Sequence, residues 1–317
     1  MTPLDRRNFV KLTTLAASSI PFLGFPKNLF EPIDTTDDRL SISIFSKHLQ
    51  FLDYHALGEI AADIGFNDVD LTVRPKGHVI PESVKTDLPK AIQDIKKGGS
   101  NCNLITTSIE NRNNPLDSDI LYTASKSGVK YYRTNWFKYP EGQSMSEALI
   151  RYQEQIKELG ILNKELGIVG TYQNHAGTNV GASYWEIKKI LETVNPDYFG
   201  AQYDIRHAMV EGGNSWVNGL KLLHQNIKVI VLKDFKWGKV NGKWEAINVP
   251  IGEGMVDFDK YFKLLKYYGL KPPVSLHLEY DLGGAEKGNS TISVDKKVVF
   301  DAMKSDLNKV QRLWQNA

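Results

Sequence analysis

The sequence predicts an α/β chain closed into a single-domain (β/α)8 TIM barrel, and three observations carry that expectation. From about residue 40 onward, a short β-branched run, a loop and an amphipathic stretch of helical period recur in turn. Eight such units fit in about 280 residues, the usual size of a closed barrel. No Gly-x-Gly-x-x-Gly follows the first strand, where Ser46-Lys47-His48-Leu49 leads onward instead, which disfavours an open doubly wound sheet.

The strands are expected at Leu40–Phe45, Val69–Thr72, Cys102–Thr107, Val129–Arg133, Gly167–Gln173, Tyr198–Tyr203, Ile227–Leu232 and Val274–Glu279. Helices are expected near 52–64, 84–97, 117–127, 144–165, 183–193, 214–224, 257–267 and 292–314. Asp53 and His55 open the first, whose apolar positions Leu57, Ile60 and Ala61 recur at helical spacing. Leu149, Tyr152, Ile156, Leu159 and Leu162 mark the longest one. Residues 257–269 run from an acidic start through regularly spaced lysines to a glycine stop. No boundary splits this region.

The 317 residues are 41% hydrophobic and 24% charged, enough apolar material for a large core. A formal charge of +2 leaves no basic stripe with interleaved aromatics to follow a phosphate backbone, which argues against a nucleic-acid partner. Residues 1–30 hold Arg6, Arg7, Lys11 and Lys27 against Asp5 alone, a net of +3, so the remainder carries −1. The run Asp5-Arg-Arg-Asn-Phe-Val-Lys11 precedes a mildly apolar stretch, Leu12 to Phe25, too short and polar to span a membrane comfortably. It resembles a twin-arginine export signal, read by the export machinery, although an ordinary basic first helix is the alternative. The expected division is a removable signal over 1–30, a tether over 31–39 and the barrel over 40–317, with a periplasmic or otherwise exported product and no stable membrane insertion. Cys102 is the only cysteine and reads as a buried strand residue.

In a barrel, alternate residues of each strand face inward, and those where the strand runs out line the mouth. A polar group in the packed middle costs several kcal/mol if unpaired, so polar residues sharing one parity at strand ends are informative. Gln173 and His175 end the fifth strand on one face, Asp204 and Arg206 the sixth, and His277 and Glu279 the eighth. Val231 and Lys233 share a face at the seventh; Asp70, Thr72 and Arg74 do so at the second, followed by Gly77-His78. Tyr132, Arg133 and Asn135 end the fourth. Each has a purely structural alternative: Asp204 as a helix cap, Lys233-Asp234 as an ion pair, Arg74 and His78 paired with local acids, His175 and His207 as satisfied supports. Glu253, between Gly252 and Gly254, reads as a loop stabiliser.

Carboxylates beside an amide or imidazole can hold a divalent ion that polarises a carbonyl while a carboxylate moves a proton. Trp136, Phe137, Tyr203, Phe235, Trp237 and Tyr280 offer apolar faces on which a sugar ring can pack.

Over roughly residues 40–315 the chain resembles the sugar phosphate isomerase/epimerase family, the xylose-isomerase-like barrels that also include endonuclease IV. The carriers, in order, are Gly65-Phe-Asn-Asp-Val-Asp70, Gln173-Asn-His175, Asp204-Ile-Arg-His207, Lys233-Asp234, Gly252-Glu-Gly254 and Leu278-Glu279-Tyr280. The stretch from Asp70 to His78 is similar to that of an exported subset of the family. The resemblance implies a divalent metal (Mn, Mg or Zn) held at Gln173, Asp204, Val231 and Glu279, where the family's epimerases carry Glu, Asp, His and Glu. Only two of those four positions match. Val231 cannot coordinate and Gln173 cannot shuttle a proton, so the metal is expected to be weakly held or absent. In that case Lys233 and Arg206 stand in its place as positive charge.

The expected function is an exported carbohydrate isomerase or epimerase working through an enediolate. Glu279, Lys233 and His207 are the expected catalytic groups. Arg74, His78, Gln173, His175, Arg206 and Trp237 are expected to bind substrate, and Asp204, Glu279 and Gln173 to hold any metal. The alternatives are a one-base lyase or hydrolase of glycosides or 3-keto-glycosides, and a non-catalytic sugar-binding barrel.

Overall fold

The computed structural model describes residues 38–317, so the expected signal over 1–30 and most of the tether over 31–39 lie outside the described residues. Over Arg39–Ala317, eight parallel strands close on themselves. They are β1 (Ile42–Phe45), β2 (Asp68–Val73), β3 (Leu104–Thr107), β4 (Tyr131–Arg133), β5 (Val169–Gln173), β6 (Phe199–Asp204), β7 (Ile227–Leu232) and, after an inserted hairpin, β10 (Val274–Leu276). β10 pairs with both β7 and β1, with Ile42 opposite Val274, which completes the ring.

The expected alternation is visible in β2. Val69, Leu71 and Val73 join the apolar core, while Asp70 accepts hydrogen bonds from Thr106 on β3 (2.9 Å) and Ser275 on β10 (2.6 Å). β10 is two strands away from β2, so the bond to Ser275 crosses the lumen and fixes Asp70 as inward-facing.

The surrounding helices are α1 (Tyr54–Ile64), α2 (Val84–Lys97), α3 (Pro115–Lys126), α4 (Met145–Leu166), α5 (Tyr184–Ile190), α6 (Ile205–Gly212), α7 (Trp216–Leu223), α8 (Phe258–Tyr267) and α9 (Lys296–Asn316). Side-chain caps start many of them. Asp53 accepts from Ala56 N, Asp257 from Lys260 N, and Ser144 forms a reciprocal capping box with Glu147. The longer helices bury one stripe; on α9 this is Val299, Met303, Leu307, Val310 and Trp314. A fully buried side chain of this size contributes about 1.5–3 kcal/mol. Among the described residues no helix is long and apolar enough to cross a membrane.

Three features differ from the sequence expectation. The helix expected near 214–224 is α7, but an unexpected helix, α6, precedes it and starts directly from β6, with Asp204 accepting from His207 N at 3.1 Å. Arg206 and His207 are therefore helical, and strand parity does not govern them. The eighth barrel strand pairs only to Leu276; His277 N still donates to Leu232 O, and Leu278 N to His48 Nε2. Lastly, β8 (Asp234–Val240) and β9 (Lys243–Val249) form an antiparallel hairpin outside the barrel. Asn241 and Gly242 form its two-residue turn, both with positive φ (49° and 79°), as a primed turn requires. Cys102 is buried just before β3.

Candidate active site

At the C-terminal end of the barrel lies an inner pocket of about 60 Å³ lined by residues from six strand ends, with Lys233, His277 and Glu279 on one side and Arg74 and Arg133 on the other. It shares Lys47, Arg74, Arg133 and Trp136 with a wider vestibule of about 610 Å³. The inner pocket has room for one or two water-sized groups, enough for the reacting end of a substrate. The remainder must lie in the vestibule.

On the β6–β7–β10 side the charges are paired. Lys233, only 3% exposed, places Nζ 2.8 Å from His207 Nε2, 3.2 Å from Glu279 Oε2 and 3.3 Å from Asp204 Oδ2. Asp204 is fully buried; Oδ1 caps α6, and Oδ2 also accepts from Gln173 Nε2 at 2.8 Å. Its cap and its place in the site are thus one arrangement. His207 lies between Lys233 and Arg206 Nη1 (3.2 Å), and burial together with these cations and His175 holds its pKa well below the usual histidine value. His175 stacks against His207 and Trp136, and its Nδ1 lies 2.8 Å from Ala176 O. Assigning the proton to Nδ1 leaves Nε2 as the acceptor. Burial and Lys233 lower the His175 pKa as well, so the ring is neutral.

Glu279 is held from several sides. Burial opposes its ionisation, but Lys233, His277 and Lys47 outweigh that and keep its pKa well below the usual carboxylate range. Lys47 Nζ is 3.8 Å from Oε1. His277 stacks on Phe45 with ring centroids 4.1 Å apart and places Nε2 3.1 Å from Ser275 Oγ, which itself donates to Asp70. The segment's backbone is clamped by His48 at Leu278 and by Asn248 Nδ2, which donates to Glu279 O.

On the β2–β3–β4 side the cations are not paired. Arg133 is 3% exposed, its guanidinium sits 4.2 Å over Trp136, and its Nη1 has no hydrogen-bond partner. Burial and the neighbouring Arg74 push its pKa down to about 9. Asp70 does not pair with it: its oxygens are taken by Thr106 and Ser275, and burial raises its pKa to about 6.

The structure thus brings together Glu279, Lys233, Gln173, His175 and Arg74 around the cavity, with Asp204 and His207 directly behind Lys233. It does not bring in three others. His78 is tied to Thr72 and to Leu49 O and lines a separate groove with Tyr54. Arg206 turns to the hairpin, donating to Asn248 Oδ1 and Ala246 O and stacking over Phe235. Trp237 is 44% exposed on β8. Asp234 turns away from its neighbour Lys233 and accepts from the backbone N–H groups of Phe235, Gly252, Gly254 and Val256. A Cβ at Gly254 would strike that carboxylate, which is what the Gly252-Glu-Gly254 loop requires of the position.

Sequence reasoning missed Lys47 as a site residue. Strand parity could not have found it, because Lys47 sits in the 3-10 turn Ser46–Leu49 that directly follows β1.

The donor set does not fit a divalent cation. Asp204 has both oxygens engaged, Gln173 presents its amide N–H₂ to that carboxylate, and the Lys233 ammonium stands between Asp204 and Glu279. Val231 has no donor atom, and among the described residues no group of three or more His, Cys, Asp or Glu is placed to hold a metal.

Solved structures with this architecture include D-psicose 3-epimerase from Clostridium cellulolyticum H10 with D-tagatose (14% identity, 87% of this chain and 99% of that one, TM-score 0.65). Two others are 3-keto-D-glucoside 4-epimerase from E. coli (11%, 86% and 100%, 0.63) and a probable 3-DHS dehydratase from Bacillus anthracis involved in petrobactin synthesis (13%, 87% and 99%, 0.59). At these identities they share the fold. No curated protein matches the sequence. The family described as "Xylose isomerase-like TIM barrel" matches residues 58–293, most of the barrel, and the chain belongs to that family.

Proposed function

We propose that the protein is a carbohydrate isomerase or epimerase in which the Lys233 ammonium performs the charge stabilisation. The observation that carries this reading is the position of Lys233 Nζ, within 3.3 Å of Asp204, Glu279 and His207 and bordering the cavity. Glu279, ionised, takes a proton from the carbon beside a substrate carbonyl. The electron pair moves onto the carbonyl oxygen, and the enediolate so formed is stabilised by the positive charge of Lys233, fixed in place by its three partners before the reaction. The cations around Glu279 that keep it ionised also limit its basicity, so only a carbon acid activated in this way suits it. Reprotonation at the same carbon from the other face gives an epimer; return of the proton to the former carbonyl carbon, with a hydroxyl proton passing between the two oxygens, gives an isomer. Neutral His175, bordering the cavity beside Gln173 with Nε2 as an acceptor, is the candidate carrier of that hydroxyl proton, while the proton for the other face comes from water in the cavity.

One observation favours a second reading. Glu279 is the only carboxylate lining the inner pocket, and Gln173 cannot move a proton. The same first step followed by loss of a β-substituent, with its bonding pair, needs only one base. Both readings predict that solvent deuterium or an elimination product appears with 3-keto-glycosides or ketoses, and that Glu279→Gln lowers the rate about 10²–10⁴-fold. Release of an aglycone selects elimination. No exchange and no product across such a panel would sink both.

A further inference from the structure

We infer that the substrate carries an anionic group, a carboxylate or a phosphate, bound between Arg74, Arg133 and Lys47 at the junction of the inner pocket and the vestibule. This rests on the carbohydrate reading above and names the substrate class that the same mouth selects. The first ground is the charge of the lining. Lys47, Arg74, Arg133 and Lys233 border the inner pocket against a single carboxylate, Glu279, and Lys76 and Lys287 add two more cations at the vestibule, whose lining holds no acid.

The second ground is independent of that count. The Arg133 guanidinium is almost wholly buried, yet its Nη1 has no hydrogen-bond partner. A buried unsatisfied charged donor costs stability, and fixing one beside a cavity is reasonable where a ligand completes its bonds. The local acid does not complete them. Asp70 gives its oxygens to Thr106 and Ser275, hydroxyls that a neutral carboxyl would satisfy as well. Arg74 stacks 5.5 Å over Phe45 and likewise makes no ion pair among the described residues. Two guanidinium forks and one ammonium around an opening match the geometry of a carboxylate or phosphate, which accepts several N–H bonds at once.

The arrangement also orders the substrate. Glu279 and Lys233 act at the narrow end, where the carbonyl would enter, while the arginines hold the opposite end at the wide one. A neutral sugar would leave Arg133 unpartnered; an anion would satisfy it and exclude water from the reacting end.

The test uses two kinds of probe on the purified protein. Inorganic phosphate and malonate make no demand on sugar stereochemistry; each is expected to raise the unfolding temperature of the wild type but not of Arg133→Gln. In calorimetric titration, a set of hexuronates and hexose phosphates is expected to bind at least about tenfold more tightly than the parent neutral sugars, with affinity falling as salt is added. Arg74→Gln and Arg133→Gln are expected to erase that preference while still unfolding cooperatively. The tighter of the two classes identifies the anion as carboxylate or phosphate. The inference is overturned if no anionic sugar outcompetes its neutral parent, or if neither substitution changes the preference. Charge preference without deuterium exchange would leave the anion site standing and remove the isomerase reading. Exchange into neutral sugars with no charge preference would do the reverse.

Discussion

The two sides of the barrel mouth treat buried charge in opposite ways. Around β6, β7 and β10, Lys233 is enclosed by Asp204, Glu279 and His207, and every one of these groups has a counterpart within 3.3 Å. Around β2 and β4, Arg133 is buried to the same degree and left with an open donor, while the nearby acid is engaged by hydroxyls. Groups that must be held still for chemistry gain from full pairing, since a fixed donor reorganises little when charge develops. Groups that recognise a ligand must keep bonds in reserve for it. On this view the first side is the reacting half and the second the recognising half.

The largest expected effect breaks the paired side. Lys233→Met removes the cation between buried Asp204 and half-buried Glu279 and should cost about 3–5 kcal/mol in denaturant unfolding at pH 7. It should also raise the Glu279 pKa, since the neighbouring ammonium is a main cause of its depression. A loss below about 1 kcal/mol would mean that the pairing contributes little to the fold.

Asp70 gives a pH-dependent contrast. Its folded pKa, about 6, lies above the unfolded value of 3.8 because burial penalises the charge. Between those values the folded state binds more protons, so the contribution of Asp70 to stability falls as pH rises from about 4 to about 6. Above that the cost is fully present. The difference in unfolding free energy between wild type and Asp70→Asn should therefore decline by roughly 2–3 kcal/mol between pH 4 and pH 7. A difference that rises with pH would show that the two arginines, not burial, govern this carboxyl.

How much of this could be read in the sequence depends on the kind of residue. The barrel was legible because strands such as β2 and β7 are buried along nearly their whole length, and the caps and apolar stripes of the helices are local signals. Parity held where the chain stays extended, so Gln173 with His175 and His277 with Glu279 all border the cavity. It failed past Asp204, where that side chain starts a helix and sends Arg206 to the hairpin. The hairpin itself had a signal in Asn241-Gly242, flanked by Val240 and Trp244, that strand counting passed over. Lys47 had almost none, being one of 39 basic residues in the chain. The open donor on Arg133 was not legible at all. It depends on Asp70 bonding Ser275 across the lumen, a contact 205 residues apart in sequence.

Arg133→Met sharpens the comparison from the recognising side. It removes a buried charge that lacks a full set of partners and leaves a side chain that still packs on Trp136. Without ligand, stability should be unchanged or should rise by about 1–2 kcal/mol, in contrast to Lys233→Met. Equilibrium unfolding of the two variants side by side is the measurement. A loss above about 1 kcal/mol would place Arg133 with the paired groups and dissolve the distinction between the two halves.

The smallest expected effect bounds the site at its rim. Trp237 has the chemistry of a sugar platform, but it sits on β8, 44% exposed, packed edge-on against Phe235 and outside the lining of both the pocket and the vestibule. The hairpin acts on the site through its other strand, where Asn248 joins Arg206 to the backbone of Glu279. Trp237→Ala should shift stability by less than about 0.5 kcal/mol and KM by no more than about twofold, with kcat unchanged. A selective rise in KM would extend the recognising half onto the hairpin. It would mean that substrate reaches past the vestibule, and that the two halves meet over the cavity as well as across it.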